Sequence, residues 1–329
     1  MAKFKIFTEK PLRQHVLIIY VISMHITKVA DHIYLVDVEA GGIKNFIASY
    51  VVKGEKVAII ETGPTLSTSN LLLGLKELNI APEEVAYVVV SHIHLDHSGG
   101  TGSLLKHLPK AKVIVHQRGA PHLTNPEKLW EQSKMVLGSI TDIYGKPEPV
   151  HTERIFATSD GDEIDLGEGI ALKVIETTGH ASHHQSYYEA SSKAVFPGDA
   201  AGIYLCEIGV VVPTTPAPFR MDIALASIER LKQLKPKLLL YSHFGRAYYA
   251  EAKLQTYMDQ LRLWARIAYD GLKEGQQLEV ISKRIIDADE SIQKALKYIG
   301  VHTILSKTVF EQSIHGVVDF VQKFGLSSV

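Results

Sequence analysis

One short segment constrains the fold of this chain more than any other part of its sequence. It places three histidines and one aspartate within six consecutive positions, directly after the apolar run 85–90, and reads Ser91-His92-Ile93-His94-Leu95-Asp96-His97-Ser98-Gly99-Gly100. Imidazole and carboxylate groups together are ligands that divalent transition metals take in proteins. The segment therefore predicts a metal site beside the end of a strand.

The spacing within this segment agrees with a metal site. If residues 85–90 form a buried strand, His92 and His94 lie two positions apart in extended chain and point to the same side. Asp96 continues that row, and His97 comes within reach once the chain turns. A histidine-rich surface loop is the alternative interpretation, and the spacing disfavours it.

Composition narrows the class of protein. The chain has 329 residues, of which 46% are hydrophobic and 22% charged, as in ordinary globular domains. The net charge of −1 lacks the basic excess of nucleic-acid-binding domains, so a nucleic-acid partner is disfavoured. Cys206 is the single cysteine, which excludes an intramolecular disulfide and a thiolate zinc cluster. We therefore expect a cytoplasmic protein that acts on a small molecule.

The amino-terminal residues outline a signal peptide but lack parts of one. Basic residues precede the apolar run 16–23, yet the run is short and no small-residue cleavage site follows it. The run is also too short to span a bilayer, so no membrane association is expected. Met24 stands just before the first strand pattern. We expect translation to start at Met24 and residues 1–23 to be an upstream extension.

Glycine-punctuated strands and amphipathic helices follow one another without strict alternation. Short strand patterns dominate the first two thirds of the chain, and helical periodicity covers most of it beyond Ala247. Asp222 stands where it would cap a helix over 222–233. Strands followed by helices in each half predict an α+β layered fold. We expect a catalytic domain at 24–250 and a helical carboxyl-terminal region at 251–329 packed on it.

Three further positions can complete the metal site. Each lies just past an apolar strand pattern, where residues from distant parts of a chain can meet at one edge of a sheet. They are His180 after 170–176, Asp199 after 194–196 and His243 after 237–241. With the first segment they make five histidines and two aspartates, enough for two metal ions. Nitrogen and oxygen ligands without thiolate suit zinc, with manganese or iron as alternatives.

The whole set resembles the metal-binding signature of the metallo-β-lactamase-fold hydrolases. The resemblance spans residues 25–250, in the order His92-x-His94-x-Asp96-His97, His180, Asp199 and His243. It implies a four-layer αβ/βα sandwich with a helical carboxyl-terminal appendage and with metals at one edge of two facing sheets. The length and the carboxyl-terminal helices are similar to the glyoxalase-II-like branch. Asp96 falls on a ligand position of the signature, which speaks against the oxygen-reducing diiron branch, where the second histidine is typically glutamate.

The resemblance also implies a role for each ligand. His92, His94 and His180 would bind the first ion. Asp96, His97 and His243 would bind the second, and Asp199 would bridge both. A bridging hydroxide would attack the substrate, with Asp96 and Asp199 as the catalytic residues that orient it or move its proton.

One position departs from the family pattern. The family usually has Asp-x-Gly after the third strand, and here the sequence is Glu61-Thr62-Gly63. Glutamate accepts the same hydrogen bonds but is one methylene longer. Glu61 is therefore expected to support the ligands from behind, and a solvated glutamate at a strand end is the alternative.

Substrate specificity is less visible in the sequence. His184, Tyr204 and Arg246 follow predicted ligands and are candidates for the substrate pocket. As alternatives, His184 would hydrogen-bond a ligand, Tyr204 would pack in the core and Arg246 would begin a solvated helix.

The glyoxalase-II-like resemblance implies cleavage of a thioester or a carboxylic ester. A lactonase or phosphodiesterase of the same fold is the alternative, and a non-enzymatic metal-binding protein is a third interpretation. The carboxyl-terminal helices would cap the active site or form a homo-oligomer interface.

Overall fold

The computed structural model describes residues 26–243, 245–300 and 307–326, with side chains from 310 onward in the last range. The predicted extension at 1–23 and the predicted start at Met24 lie outside these ranges and stay predictions. Among the described helices, none combines the length and the apolar character needed to cross a membrane.

Seven strands form the first sheet and lie in it in chain order. They are β1 (Ile26–Ala30), β2 (Ile33–Asp37), β3 (Ala48–Lys53), β4 (Val57–Ile60), β5 (Val85–Val89), β6 (Lys112–His116) and β7 (Ile155–Thr158). Strands β1 to β4 pair antiparallel, whereas β4 to β7 pair parallel. Strand β4 is buried along its whole length, because both faces of the sheet are covered.

Six strands form the second sheet, in the spatial order β15-β14-β11-β10-β9-β8. They are β8 (Glu163–Gly167), β9 (Ile170–Glu176), β10 (Gln185–Glu189), β11 (Ala194–Phe196), β14 (Leu238–Tyr241) and β15 (Gly245–Tyr248). Strands β11 and β14 pair parallel, and the other neighbours pair antiparallel. A hairpin of β12 (Ile203–Leu205) and β13 (Val210–Val212) stands apart from both sheets.

The helices pack outside the two sheets and against one another. They are α1 (Thr68–Glu77), α2 (Leu95–Ser98), α3 (Thr101–Leu105), α4 (Ala120–Thr124), α5 (Glu127–Leu137), α6 (Ile140–Tyr144), α7 (Met221–Gln233), α8 (Ala250–Lys273), α9 (Leu278–Ala288), α10 (Glu290–Ile299) and α11 (Lys307–Phe324). Apolar side chains of α1, α3, α7 and α8 share one apolar cluster with strands of both sheets. The predicted α+β sandwich with a helical carboxyl-terminal part is confirmed.

The two sheets face each other across a shared apolar core. Its buried side chains come from both sheets and include Ile33, Tyr50, Ile60, Val174, Tyr187 and Phe196. The Tyr50 hydroxyl donates to the Tyr241 carbonyl at 2.6 Å, and the Tyr187 hydroxyl donates to the Val90 carbonyl at 2.7 Å. Each tyrosine thus crosses from one sheet to the backbone of the other. These two bonds fix the sheets relative to one another close to the predicted ligands.

The carboxyl-terminal helices share an apolar cluster with the sandwich, to which Trp264, Ile281 and Phe320 contribute. Asp289 joins these helices through a buried carboxylate. One oxygen caps α10 by accepting the Ser291 N–H at 2.9 Å, and the other accepts the Trp264 indole N–H at 2.7 Å. The predicted boundary at 250 coincides with the start of α8; its status as a domain boundary is a proposal.

One local prediction was wrong, and some strands were not predicted. Helix α7 begins at Met221, so Asp222 lies in its first turn and not at its cap. There the carboxylate accepts a hydrogen bond from the Arg220 guanidinium at 2.9 Å, which competes with a capping role. Strand β7 was not predicted at all, because it is short and its face is partly exposed.

Candidate metal centre

The first ligand segment leaves the sheet at the end of β5 and turns into the short helix α2. The His94 carbonyl accepts the N–H groups of His97 at 3.1 Å and Ser98 at 3.0 Å. The extended row predicted for this segment therefore ends at His94, because α2 takes Asp96 into a helical turn. The same turn brings the His97 ring to 4.1 Å from the His92 ring, measured between centroids.

The second sheet supplies three more candidate ligands, each from a loop that follows a strand. His180 follows β9, Asp199 follows β11 and His243 follows β14. Gly198, just before Asp199, has a φ of 53°, and a Cβ there would lie 2.6 Å from the Ser91 hydroxyl oxygen. Glycine therefore allows the Asp199 loop to approach the first ligand segment. All seven predicted ligands meet at this edge of the two sheets.

His92, His94 and His180 form the first trio. Their ligand atoms lie within 4.8 Å of one another. His94 Nδ1 lies 2.8 Å from His92 Nε2 and 3.2 Å from His180 Nε2. Burial, with the neighbouring His180, lowers the pKa of His94 to about 3, and burial with His97 nearby lowers the pKa of His92. These imidazoles are therefore neutral at pH 7, the form that binds metal.

Asp96, His97 and His243 form the second trio, again with ligand atoms within 4.8 Å of one another. Asp96 Oδ2 lies 3.3 Å from His243 Nε2 and 3.9 Å from His97 Nε2. Burial opposes ionisation of Asp96, but His97 and His243 outweigh it and lower the pKa of the carboxyl below its usual range. The second trio thus contains an ionised carboxylate, which the first trio lacks.

Asp199 lies between the two trios. Its Oδ1 is 3.3 Å from His97 Nε2, in the second trio. Its Oδ2 is 3.7 Å from His180 Nε2, in the first trio. The two oxygens of one carboxylate therefore face different trios, which is the arrangement that lets a single residue contact two ions.

The donor set fits divalent cations on its own chemistry. Within the described part of the chain, the buried atoms His97 Nε2 and Asp199 Oδ1 have no hydrogen-bond partner. Burial lowers the pKa of His97, but Asp199, Asp96 and Glu61 outweigh it and raise that pKa. Three carboxylates so close together are unfavourable in a buried site without cationic compensation. Two divalent ions would provide that compensation.

Groups behind the ligands lie close to the outer ring nitrogens. The Ser91 hydroxyl lies 2.9 Å from His92 Nδ1, and the Thr214 carbonyl lies 2.9 Å from His180 Nδ1. Glu61 Oε2 lies 3.5 Å from His97 Nδ1, while its Oε1 accepts the Ser91 N–H at 3.3 Å. Glu61 is only 2% exposed, so the alternative of a solvated glutamate is wrong.

His184 does not face a substrate pocket, contrary to the pocket role predicted for it. Its side chain is completely buried. Its Nε2 accepts the Asp199 N–H at 3.1 Å, and its Nδ1 lies 2.9 Å from the Thr177 hydroxyl. The alternative interpretation, a hydrogen bond to a ligand residue, is the correct one.

Tyr204 and Arg246 also make structural contacts. The Tyr204 ring stacks on Tyr241 with centroids 5.6 Å apart, in agreement with the core-packing alternative. Arg246 lies in β15, not at a helix start, and its guanidinium packs 4.8 Å above the Tyr248 ring and donates to the Val29 carbonyl at 3.5 Å. These contacts give no support to the predicted pocket role of either residue.

Two features connected with the site were not predicted. Burial, together with the charges of Asp96 and Asp199, raises the pKa of the Tyr144 phenol in α6. Thr214 contributes only a backbone carbonyl. Neither has a sequence signal: Tyr144 sits in an ordinary helical pattern, and any residue type can supply a carbonyl.

Comparison with known proteins agrees with this geometry. The family model of the metallo-beta-lactamase superfamily matches residues 43–243. The metallo-beta-lactamase fold-containing protein ST1585 of Sulfurisphaera tokodaii is 34% identical over 201 residues, which cover 60% of this chain and 72% of that protein. Its crystal structure, described as the first of an archaeal metallo-beta-lactamase superfamily protein, superposes with a TM-score of 0.60 at 26% identity, covering 85% of this chain and 93% of that one.

Two more distant matches mark the breadth of the family. The metallo-beta-lactamase family protein TTHA1429 of Thermus thermophilus shares the fold, with a TM-score of 0.65 at 18% identity over 91% of this chain and 95% of that one. The flavo-diiron protein FprA2 of Clostridium acetobutylicum is 27% identical over 160 residues, which cover 48% of this chain but only 34% of that protein. The site geometry and these matches lead to one conclusion: the chain belongs to the metallo-beta-lactamase superfamily.

Proposed function

We propose that this protein is a metal-dependent hydrolase of the glyoxalase-II-like kind that cleaves a thioester or a carboxylic ester. The observation that carries the proposal is the pair of trios joined by Asp199, whose two oxygens face them separately. The proposal includes a small-molecule substrate, a cytoplasmic location and two zinc ions, with manganese or iron as alternatives.

Each trio would hold one ion, and Asp199 would contact both. When bound, such ions activate water as a nucleophile and polarise the scissile carbonyl. The side chains of the site then divide the remaining work. Glu61 would stabilise the His97 ring by its charge, 3.5 Å from Nδ1, and His184 would hold Asp199 through its backbone N–H.

Asp96 is suited to move the proton. Its carboxylate is 20% exposed, against 7% for Asp199 and 1% for His97, so it is the carboxylate of the site that substrate reaches most easily. Its lowered pKa keeps it ionised at neutral pH, and because a low pKa makes it a weak base, its exposed oxygen would accept a proton from water only transiently. It would then pass this proton to the departing sulfur or oxygen. Asp199, which is more buried, would orient the attacking water and would not exchange a proton with it.

An oxidoreductase is the second candidate, because a flavo-diiron protein is among the relatives. His94 argues against it, since its imidazole completes a trio of nitrogen ligands where the resemblance to the diiron branch calls for a carboxylate. A lactonase or a phosphodiesterase would use the same ligands, so the choice among hydrolytic substrates rests on assay.

The test combines metal analysis with an activity panel. Purified protein is analysed for zinc, manganese and iron. It is then offered a thioester, a lactone, a β-lactam and bis-p-nitrophenyl phosphate, with and without chelator, and oxygen consumption is followed with a reduced electron donor. We expect about two zinc ions per chain and chelator-sensitive turnover of the thioester.

A pair of alanine variants provides the control. His94→Ala should lose metal and turnover, whereas His151→Ala, whose side chain is 86% exposed, should keep both. If the protein contained iron and consumed oxygen, the proposed hydrolase function would be replaced by an oxidoreductase function. Full metal occupancy without turnover of any substrate would support a binding protein.

A further inference from the structure

His180 is oriented by a single backbone atom. Its Nδ1 lies 2.9 Å from the Thr214 carbonyl, which can only accept a hydrogen bond, so this nitrogen carries the proton. The other nitrogen, Nε2, is therefore left with its lone pair, 3.2 Å from His94 Nδ1 and 3.7 Å from Asp199 Oδ2. The position of one carbonyl thus decides both the tautomer and the direction of a first-trio ligand.

The segment that carries this carbonyl is held by helix α11. Thr215 is completely buried, and its hydroxyl donates to the Ser313 carbonyl at 2.6 Å. The Thr215 N–H donates to the Ser313 hydroxyl at 3.3 Å. Both bonds join the residue next to Thr214 to a helix that lies almost one hundred positions later in the chain.

Gly316 lets the helix come this close. A Cβ at this position would overlap the Thr215 carbonyl oxygen and would lie 2.9 Å from the Thr215 carbonyl carbon. Both partners in this contact are backbone, so neither can move aside as a flexible side chain would. Gly316 has no unusual backbone angle that would require glycine, and the close approach is the reason we find for it.

The far end of the same segment returns to the His180 loop. The Arg220 N–H donates to the Gly179 carbonyl at 3.1 Å, directly before His180. The Arg220 guanidinium lies 5.0 Å above the Phe324 ring, at the end of α11. The segment 213–220 is therefore clamped between α11 on one side and the loop of a candidate metal ligand on the other.

We propose that α11 is a positioning element of the first trio, acting through Ser313 and Gly316 on Thr215 and from there through the Thr214 carbonyl on His180. The inference rests on the proposed metal site but concerns the geometry of one ligand. It gives the carboxyl-terminal helices a part in metal binding that is separate from capping the active site. Disturbing this contact should weaken the first trio and leave the second unchanged.

The test substitution is Gly316→Ala, with Gly300→Ala as the matched control. An alanine is the better helix former by about 1 kcal/mol, so helix propensity alone predicts that Gly316→Ala stabilises the protein. Among the described residues, the atom nearest to a Cβ at Gly300 is the Lys297 carbonyl oxygen, 3.6 Å away, and this substitution should change neither metal affinity nor the His180 tautomer. Thr215→Val, which removes the donor to Ser313 and keeps the shape, tests the same path without a clash.

Each variant is combined with His94→Ala, which disables the first trio, and separately with His243→Ala, which disables the second. Zinc affinity is measured by competition with a chromophoric chelator. In the His243→Ala background we expect Gly316→Ala to weaken zinc binding about 10–100-fold, and Thr215→Val, which removes one neutral hydrogen bond, to weaken it about fivefold. In the His94→Ala background both should leave it within about twofold.

A second measurement does not depend on metal. The imidazole nitrogen shifts of His180, followed by NMR in metal-free protein, report which nitrogen carries the proton. The inference is supported if Gly316→Ala and Thr215→Val lose the Nδ1-protonated form of His180 while Gly300→Ala keeps it. This result would stand even if the wild-type protein bound no zinc. In that case the proposed function would fail and the inference would not. Unchanged shifts, or equal weakening in both backgrounds, would overturn the inference.

Discussion

The two trios differ in what holds them together, although they share one carboxylate. The first consists of neutral imidazoles, whose pKa values are lowered by burial, and its outer nitrogens meet a hydroxyl and a carbonyl. The second is built around His97, which lies between Asp96, Asp199 and Glu61. The difference teaches that, of the two proposed metal positions, one would depend mainly on hydrogen-bonded orientation and the other mainly on charge.

Asp199→Asn should have the largest effect, because it removes charge at the point where the trios meet. The amide keeps the shape but can present only one acceptor oxygen, so it cannot serve both sides. We expect loss of both metals and a fall in turnover of about 10³-fold or more. Metal analysis and steady-state kinetics provide the measurement. Asp31→Asn, at a fully exposed carboxylate, is the control and should change neither.

Asp96→Asn should affect the second trio alone. Removing this charge leaves His97 and His243 in place but takes away the ionised ligand of that trio. We expect one metal to be lost, one to be retained, and turnover to fall about 10²-fold. Zinc titration of the variant gives the number of sites. If both metals were lost together, the two trios would have to be regarded as one cooperative site.

Glu61→Gln should have a smaller effect on metal affinity and should distinguish the role of charge from the role of orientation. The amide fits the same space, but the carboxylate behind His97 becomes neutral. Loss of such a partner lowers metal affinity by about 10–100-fold. Its counterpart on the first trio is Ser91→Ala, which removes one neutral hydrogen bond worth about 1 kcal/mol and should lower affinity only about fivefold. Comparable losses in the two variants would contradict the contrast between the trios.

The smallest effect concerns the strand that leads to His180. Arg230 binds both Asp160 and the Glu176 carbonyl, and Asp160 accepts the Glu176 N–H at 2.8 Å. Burial raises the pKa of Asp160, but the hydrogen bond from Arg230 outweighs it and lowers that pKa. A carboxyl whose pKa is lower in the folded state stabilises the protein above its unfolded pKa, and this contribution is lost as pH falls through the folded value.

Asp160→Asn tests this contribution. Both partners are nearly half exposed, so we expect a loss of only about 0.5 kcal/mol at pH 7, and none at a pH below the folded pKa of Asp160. Urea unfolding at the two pH values, with Asp31→Asn as the control, provides the measurement. An equal loss at both pH values would mean that the amide disturbs the backbone and that charge has no part.

The convergence of the seven candidate ligands could be predicted because each is a side chain of distinctive chemistry at the end of a recognisable strand. Asp199 and His243 lie far from His92 in sequence, yet their strands end at the same edge. The residues that orient the candidate ligands could not be predicted from the sequence, for a physical reason. Thr214 acts through a carbonyl, and Gly316 acts through the absence of a side chain. The pocket role predicted for His184 was wrong because the sequence cannot show whether a histidine near a candidate ligand contacts substrate or accepts a backbone N–H.

The ligands are divided between the two sheets, with four on the loop after β5 and three on loops of the second sheet. Bound metal would therefore cross-link the two halves of the sandwich, as disulfides do in other proteins. Its binding free energy becomes folding free energy, about 2.7 kcal/mol for each site when free metal is one hundred times the dissociation constant. The thermal midpoint of this protein should then report the free zinc concentration around it.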